Sequence, residues 1–167
     1  NIAQAEIELV GLETRKKELK LIRDAIVIAH GELSSTIADY QNSYQQHLQE
    51  LASEYYQKIT TNAARKIILD KDFQVKVEEG GRPCDIAQLS KGAQDQLYLA
   101  LRLAIADLVS ENLKLPFIFD DPFVSSDVKR LNNIQAMLNY TVQERQYAVF
   151  SHNDIFASWG TPVKKTF

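Results

Sequence analysis

The stretch Pro116-Phe117-Ile118-Phe119-Asp120-Asp121-Pro122 decides how this chain is read. It is a short apolar run, too short for a helix, that ends in two acids and a proline. Such a run reads as a strand buried in a parallel sheet. Two adjacent carboxylates at a strand end suit magnesium held through water, with the second poised to orient or deprotonate an attacking water. Strand geometry points the two side chains in different directions, which favours two separate roles. A solvated acidic turn is the plain structural reading of the same residues.

Downstream, Asp127 to about Val142 reads as a helix with Asp127 at its N-cap. Gln146-Tyr147-Ala148-Val149-Phe150 is a second buried strand, running into Ser151-His152-Asn153. Strand, helix, strand in this order implies a parallel sheet with crossover helices, an α/β fold. Ligands in such sheets bind beyond the carboxyl ends of the strands. A histidine at that place can donate a hydrogen bond to a terminal phosphate, although a satisfied structural histidine is the simpler reading of His152 alone. A short helix from Asp154 and a terminal strand from Pro162 to Phe167 complete the expected order.

Upstream of the acidic strand, Ala93 to Val109 is amphipathic, with Leu97, Leu101, Ala104, Ile105 and Leu108 on one face. Leu89-Ser90-Lys91-Gly92-Ala93 stands immediately before it. Ser90, Gly92 and the first free N–H groups of the helix form an anion-binding nest, and Lys91 adds a charge. Ser90 as an ordinary N-cap with a glycine turn explains the motif equally well by itself. Before it, Lys66 to Asp70, Phe73 to Val77 and Arg82 to Ile86 are β-prone runs around a Gly80-Gly81 turn, a small antiparallel hairpin or meander.

Residues 1–60 contain no proline. From Ile22 to Ile59 the apolar positions recur about every 3.7 residues, one stripe of a long amphipathic helix. The stripe of residues 1–21 is weaker and suits either the stub of a coiled-coil arm or a plain helix. Two domains are therefore expected, a helix over 1–60 and an α/β lobe over 61–167. His30 and His47 lie on the helix at no metal-ligand spacing.

The 167 residues carry a net charge of −3, with 45% hydrophobic and 25% charged residues, ordinary for one globular core. Residues 1–60 hold six basic against nine acidic residues, and residues 61–167 hold thirteen of each, so no strongly basic half marks a nucleic-acid footprint. The single cysteine, Cys84, excludes an internal disulfide framework and fits a reducing, cytoplasmic setting. No apolar run approaches the ~20 residues of a membrane span, and no signal peptide is visible. The chain starts at Asn1 and its only methionine is Met137, which suggests a segment of a longer protein.

Taken in order, the three motifs from Leu89 to Asn153 resemble the C-terminal lobe of ABC-type ATPase heads of the SMC and SbcC group. The nearest pattern is that of YhaN-like coiled-coil ATPases linked to DNA repair or DNA metabolism. There a Leu-Ser-x-Gly signature opens a helix much like Asp95 to Leu108, followed by a strand like Leu115 to Phe123 and a strand ending in Ser/Thr-His. The resemblance covers roughly residues 55–160. It implies that Ser90, Lys91 and Gly92 contact the γ-phosphate of ATP bound to an opposite head. It makes Asp120 the Walker B ligand that positions magnesium, Asp121 the catalytic carboxylate, Ser125, Ser126 and Asp127 the D-loop, and His152 the switch histidine. Lys91 and Ala93 depart from the commoner glycine and glutamine, and Asp121 is a methylene shorter than the usual glutamate, which affects the expected rate of hydrolysis.

No Gly-Lys pair occurs, so the phosphate-binding loop G-x-x-x-x-G-K-[ST] is absent from the chain. The resemblance places that loop in an N-terminal lobe separated by a long coiled coil, of which residues 1–60 would be the returning end. Its implied partners are that Walker A lobe and a second copy of the head, with DNA and a nuclease subunit as further candidates and no membrane. The chain alone is expected to bind ATP poorly and not to hydrolyse it. Two other readings stay open: a non-hydrolysing dimerisation or scaffold module, and a metal-dependent nuclease. The Asp120, Asp121 and His152 set argues against the first, because a scaffold has no chemical need for it. Nothing supplies the further carboxylates that a two-metal nuclease requires.

Overall fold

The computed structural model describes residues 2–110, 113–143 and 145–163. The element order is α1 (Ile2–Thr60), β1 (Arg65–Leu69), β2 (Val75–Glu79), β3 (Arg82–Asp85), α2 (Lys91–Ser110), β4 (Phe117–Asp120), α3 (Val128–Thr141) and β5 (Tyr147–Phe150), with 3-10 turns at Ile86–Gln88 and Asp154–Ser158. Two compact units result, residues 1–44 and residues 45–167. The first is helix throughout its described length and exposed until its last turn, including Ile7, Leu19, Ile26 and Leu33.

In the second unit, the end of α1 becomes a core element. Leu48, Ala52, Tyr56 and Ile59 are buried there. The stripe read from sequence ran through Leu51 and Tyr55, but these are only half-buried. Ala52 and Tyr56 take the buried places between Leu48 and Ile59. Beside it lies the antiparallel sheet β1-β2-β3, with Ile67 opposite Val77 and Val77 opposite Cys84. Gly80 and Gly81 both have positive φ (59° and 79°), the geometry of a two-residue hairpin turn. The strand expected from Phe73 starts at Val75 instead. Asp70 Oδ1 accepts from the N–H groups of Asp72 and Gln74, which winds residues 70–74 into a tight turn with Phe73 at φ 57°.

β1 is an edge strand, and α1 closes that edge with side chains. Gln45 donates to the Leu69 carbonyl (2.7 Å), Gln49 accepts from the Leu69 N–H (2.8 Å), and Ser53 both accepts from the Ile67 N–H (2.9 Å) and donates to its carbonyl (3.2 Å). Four helical residues rise about 6 Å and two strand residues about 6.6 Å, so the step from Gln49 to Ser53 matches that from Leu69 to Ile67, while the longer reach of Gln45 lets it share Leu69. The exposed N–H and C=O groups that would recruit another strand are thereby satisfied.

β4 and β5 form a separate two-stranded parallel sheet, with Phe117 opposite Tyr147 and Asp120 opposite Phe150, and α3 as the crossover. One face is covered. Phe119 stacks on Tyr147, whose hydroxyl meets Thr141 of α3 at 2.6 Å. The other face is open, with Ile118 71% and Phe150 61% exposed. The sequence predicts strands buried on both faces; within the described residues only one face finds a cover.

The N-terminal ends of these strands are anchored to α1 and α2 through Asp107. Its carboxylate accepts from the Tyr55 hydroxyl, from the buried Arg145 guanidinium and, at 3.1 Å, from Lys114. Burial pushes this carboxyl up, but the Tyr55 and Lys114 hydrogen bonds and the neighbouring charges outweigh it and hold it below the usual carboxylate range. Burial and the same carboxylate push the Tyr55 phenol up. The expected terminal strand from Pro162 lies for its larger part on residues 164–167, outside the described residues; 161–163 are irregular.

Candidate functional site

The carboxyl ends of β4 and β5 bring Asp121, Ser151 and His152 together. Asp121 follows the last residue of β4, and its N–H donates to the Phe150 carbonyl at 2.8 Å. Its φ is 41° and that of Phe123 is 61°, left-handed values that non-glycine residues adopt at a cost of order 1–3 kcal/mol each. Pro122 lies between them. This bend is held by an aromatic cluster, in which Phe123 stacks on Trp159 (6.3 Å) and meets Phe119 (5.6 Å).

The bend turns Asp121 across to the next strand. Its Oδ1 accepts from Ser151 Oγ (2.7 Å), from the His152 N–H (3.2 Å) and from His152 Nδ1 (2.9 Å). Ser151 Oγ also accepts from the Asn153 N–H (3.1 Å). The Ser151 hydroxyl first, then the His152 ring and backbone, hold the Asp121 carboxyl below the usual carboxylate range. An ionised Asp121 selects the imidazole form that carries its proton on Nδ1, leaving Nε2 to face whatever enters the site. Both side chains are open to solvent.

Asp120 points elsewhere. With Ile118 it lines a cavity of about 170 Å³ whose opposite wall is Asp95, Tyr98 and Arg102 of α2. Among the described residues no group of three or more His, Cys, Asp or Glu is placed to hold a metal ion. A single exposed carboxylate fits magnesium only if phosphate oxygens or water supply the other ligands, which is how that ion is commonly bound.

Ser90 and Lys91 are exposed at the start of α2, and Gly92 is buried. The Ser90 carbonyl accepts from the N–H groups of Ala93 and Gln94 (both 2.9 Å), and Ser90 Oγ lies 3.4 Å from the Ala93 nitrogen. Gln94 secures the preceding turn by donating to the carbonyls of Ile86 (3.0 Å) and Leu89 (3.1 Å). The turn of Ser125, Ser126 and Asp127 comes against Gly92 through the Ser125 carbonyl oxygen, 2.8 Å from where a Cβ on Gly92 would stand. Asp127 caps α3, accepting from the Arg130 N–H at 2.9 Å, and pairs with the Arg130 guanidinium at 2.7 Å.

Two clusters emerge: Ser90 to Gly92 with Ser125 to Asp127, and Asp121 with Ser151 and His152. Among the described residues no hydrogen bond joins Ser90 to Asp121 or His152. Sequence reading missed Ser151 as the first partner of Asp121, and missed Arg130 and the Phe123–Trp159 stack. Arg130 was detectable as the i+3 partner of an N-cap aspartate. The stack joins residues far apart in sequence and left no local signal.

No protein-family model matches the chain. A DNA double-strand break repair Rad50 ATPase of Thermoplasma acidophilum is 33% identical over 103 residues, 59% of this chain and 11% of that protein. The uncharacterized protein YhaN of Bacillus subtilis is 32% identical over 108 residues, 62% of this chain and 11% of that protein. The chain thus spans about a tenth of the length of the curated relatives it matches. Among solved structures, an Smc head domain with a coiled coil and joint from Pyrococcus yayanosii matches 93% of this chain and 31% of its own, with a TM-score of 0.74 and 15% identity. The fold is therefore that of an SMC head. Together with the two relatives in sequence, this makes the chain similar to the C-terminal part of an SMC/Rad50-like ATPase head. No described helix is long and apolar enough to cross a membrane.

Proposed function

We propose that this chain is the lobe that supplies the hydrolytic residues of an ATPase assembled from two heads, acting in DNA repair or DNA metabolism. The observation that carries this is the triple hydrogen bonding of Asp121 by Ser151 and His152 at adjacent strand ends. Phosphoryl transfer needs little covalent help, and catalysis comes from positioning and charge. A carboxylate held below its usual range is a weak base, so Asp121 orients the attacking water by accepting its hydrogen bond. The water oxygen then bonds to the γ-phosphorus as the bond to the β–γ bridging oxygen breaks, a water proton passes to a γ-phosphate oxygen, and ADP leaves. His152, fixed through Nδ1, offers Nε2 to the γ-phosphate when protonated there. Asp120 would hold magnesium, through water, on its own side of the strand; the ion supplies charge neutralisation of the phosphates.

Ser90, Lys91 and Gly92 lie in the other cluster, with no hydrogen bond to Asp121 or His152. A nucleotide served by both clusters is therefore best bound between two heads, where the α2 N-terminus of one faces the phosphates of the other. The open face of the β4–β5 sheet supports a further partner, the lobe with the phosphate loop, because parallel sheets are normally covered on both faces. The exposed helix of residues 2–44 suits a coiled-coil arm, and DNA and a nuclease subunit belong to the same reading of the whole protein.

The test is Ser90→Arg in the complete ATPase. Nucleotide-dependent head dimerisation, followed by light scattering, and ATP turnover should both be lost, with the far-UV spectrum unchanged. Wild-type turnover in that variant would remove Ser90 from the nucleotide site.

A further inference from the structure

Gly92 is a glycine for want of room. It lies in the first turn of α2, in helical geometry, so conformational freedom does not account for it. A Cβ on Gly92 would stand 2.8 Å from the Ser125 carbonyl oxygen and 3.4 Å from both Cδ and Nη1 of Arg130. The first distance is shorter than real Cβ contacts, and the obstacle is backbone, so any side chain would push the 123–127 turn away from the helix. Arg130 also holds the end of this turn, through its guanidinium and its backbone N–H on Asp127. Within the turn, the Ser126 N–H donates to the Phe123 carbonyl at 2.9 Å. Ser126 Oγ is buried and, among the described residues, has no hydrogen-bond partner.

We infer that Gly92 and Arg130 are positioning residues that lock the Phe123–Asp127 turn onto the start of α2, so that Ser90 and Ser125 to Asp127 meet a ligand as one unit. The reading of that ligand as a nucleotide held by a second head rests on the proposed function; the lock itself does not. Arg130 acts through Asp127 and Gly92. The glycine is then required by a contact inside this chain, independently of any approach to a phosphate.

Hydrogen exchange on the chain without nucleotide tests the lock. Gly92→Ala should speed exchange of the Ser126, Arg130 and Leu131 amides by about tenfold or more while the α1 amides keep their rates. Gly31→Ala, where nothing lies within 4 Å of the new methyl, should leave residues 123–131 unchanged. Unchanged rates at Ser126 and Arg130 in a folded Gly92→Ala chain would overturn the inference. Should that variant fail to fold, Arg130→Ala decides. It removes the grip without adding overlap, should speed the same amides, and should be largely restored by Arg130→Lys; wild-type rates would overturn the lock.

In the assembled ATPase, Arg130→Ala should lower kcat about tenfold with the KM for ATP within about twofold. An effect on KM alone would overturn the positioning role. An assembly whose wild type does not turn over ATP would sink the proposed function, and the exchange rates would still judge the lock.

Discussion

The two sheets of the lobe differ in how they are finished. The β1–β2–β3 sheet has its outer edge satisfied by Gln45, Gln49 and Ser53 of α1 and its inner residues packed to near-zero exposure, with Ile67 at 1%. The β4–β5 sheet, which carries Asp120, Asp121, Ser151 and His152, is packed on one face and open on the other. The sheet that packs on α1 thus has its outer β1 edge closed within this chain, whereas the sheet that carries the candidate site has an open face. A parallel pair with an exposed apolar face is costly unless something docks there. The contrast fits the proposal that a second lobe completes the site.

The contrast can be broken most strongly by truncating matched side chains. Ile59→Ala, at the fully buried end of α1, should cost about 2–5 kcal/mol in urea unfolding. Ile118→Ala, on the open face, should stay within about 0.5 kcal/mol in the chain alone. Equal costs would mean that the open face is covered in solution. Next in size, Ser53→Ala leaves the buried Ile67 N–H without its acceptor and should cost about 1–3 kcal/mol. Native-state exchange should then show the Ile67 amide opening early; a protected amide would count against the side-chain edge closure.

The smallest effect concerns pH. Asp121 is ionised in the folded state to lower pH than an unfolded aspartate, whose pKa is about 3.9. Its contribution is therefore present above that value and lost as pH falls through the depressed folded value. Ser151→Ala removes the largest cause and should move the Asp121 carboxyl resonance titration upward toward the ordinary range. A titration that does not move would mean that Ser151 is a bystander.

Much of this was legible from sequence because its signals are local. The apolar run before Asp120-Asp121 marks a strand, helical spacing of apolar residues marks α1 and α2, and Asp127 marks the start of α3. Phe73 was misread as strand because its alternation with Val75 and Val77 is real, while the Asp70 side chain that wins the local backbone donors is a tertiary detail of one turn. The α1 stripe holds at Leu48 and Ile59, and between them it misses by one residue, because Ala52 and Tyr56 look no more apolar than Leu51 and Tyr55. Only the backbone of β1 beside the helix decides between them. Of the site, the pairing of Asp121 with His152 needed β4 and β5 to be neighbours in register, which order along the chain suggests and only the fold supplies. Gly92 was read as phosphate-binding nest or turn because its crowding by Ser125 leaves no trace in sequence.

The central claim is that Asp121 and His152 belong to half of an ATPase, and phosphate release measures it directly. The chain alone, with ATP and magnesium, should release no phosphate above background. Supplied with a lobe that carries a phosphate-binding loop, it should turn over ATP, and Asp121→Asn should abolish that turnover. Steady phosphate release by the chain alone, lost on Asp121→Asn, would contradict the account.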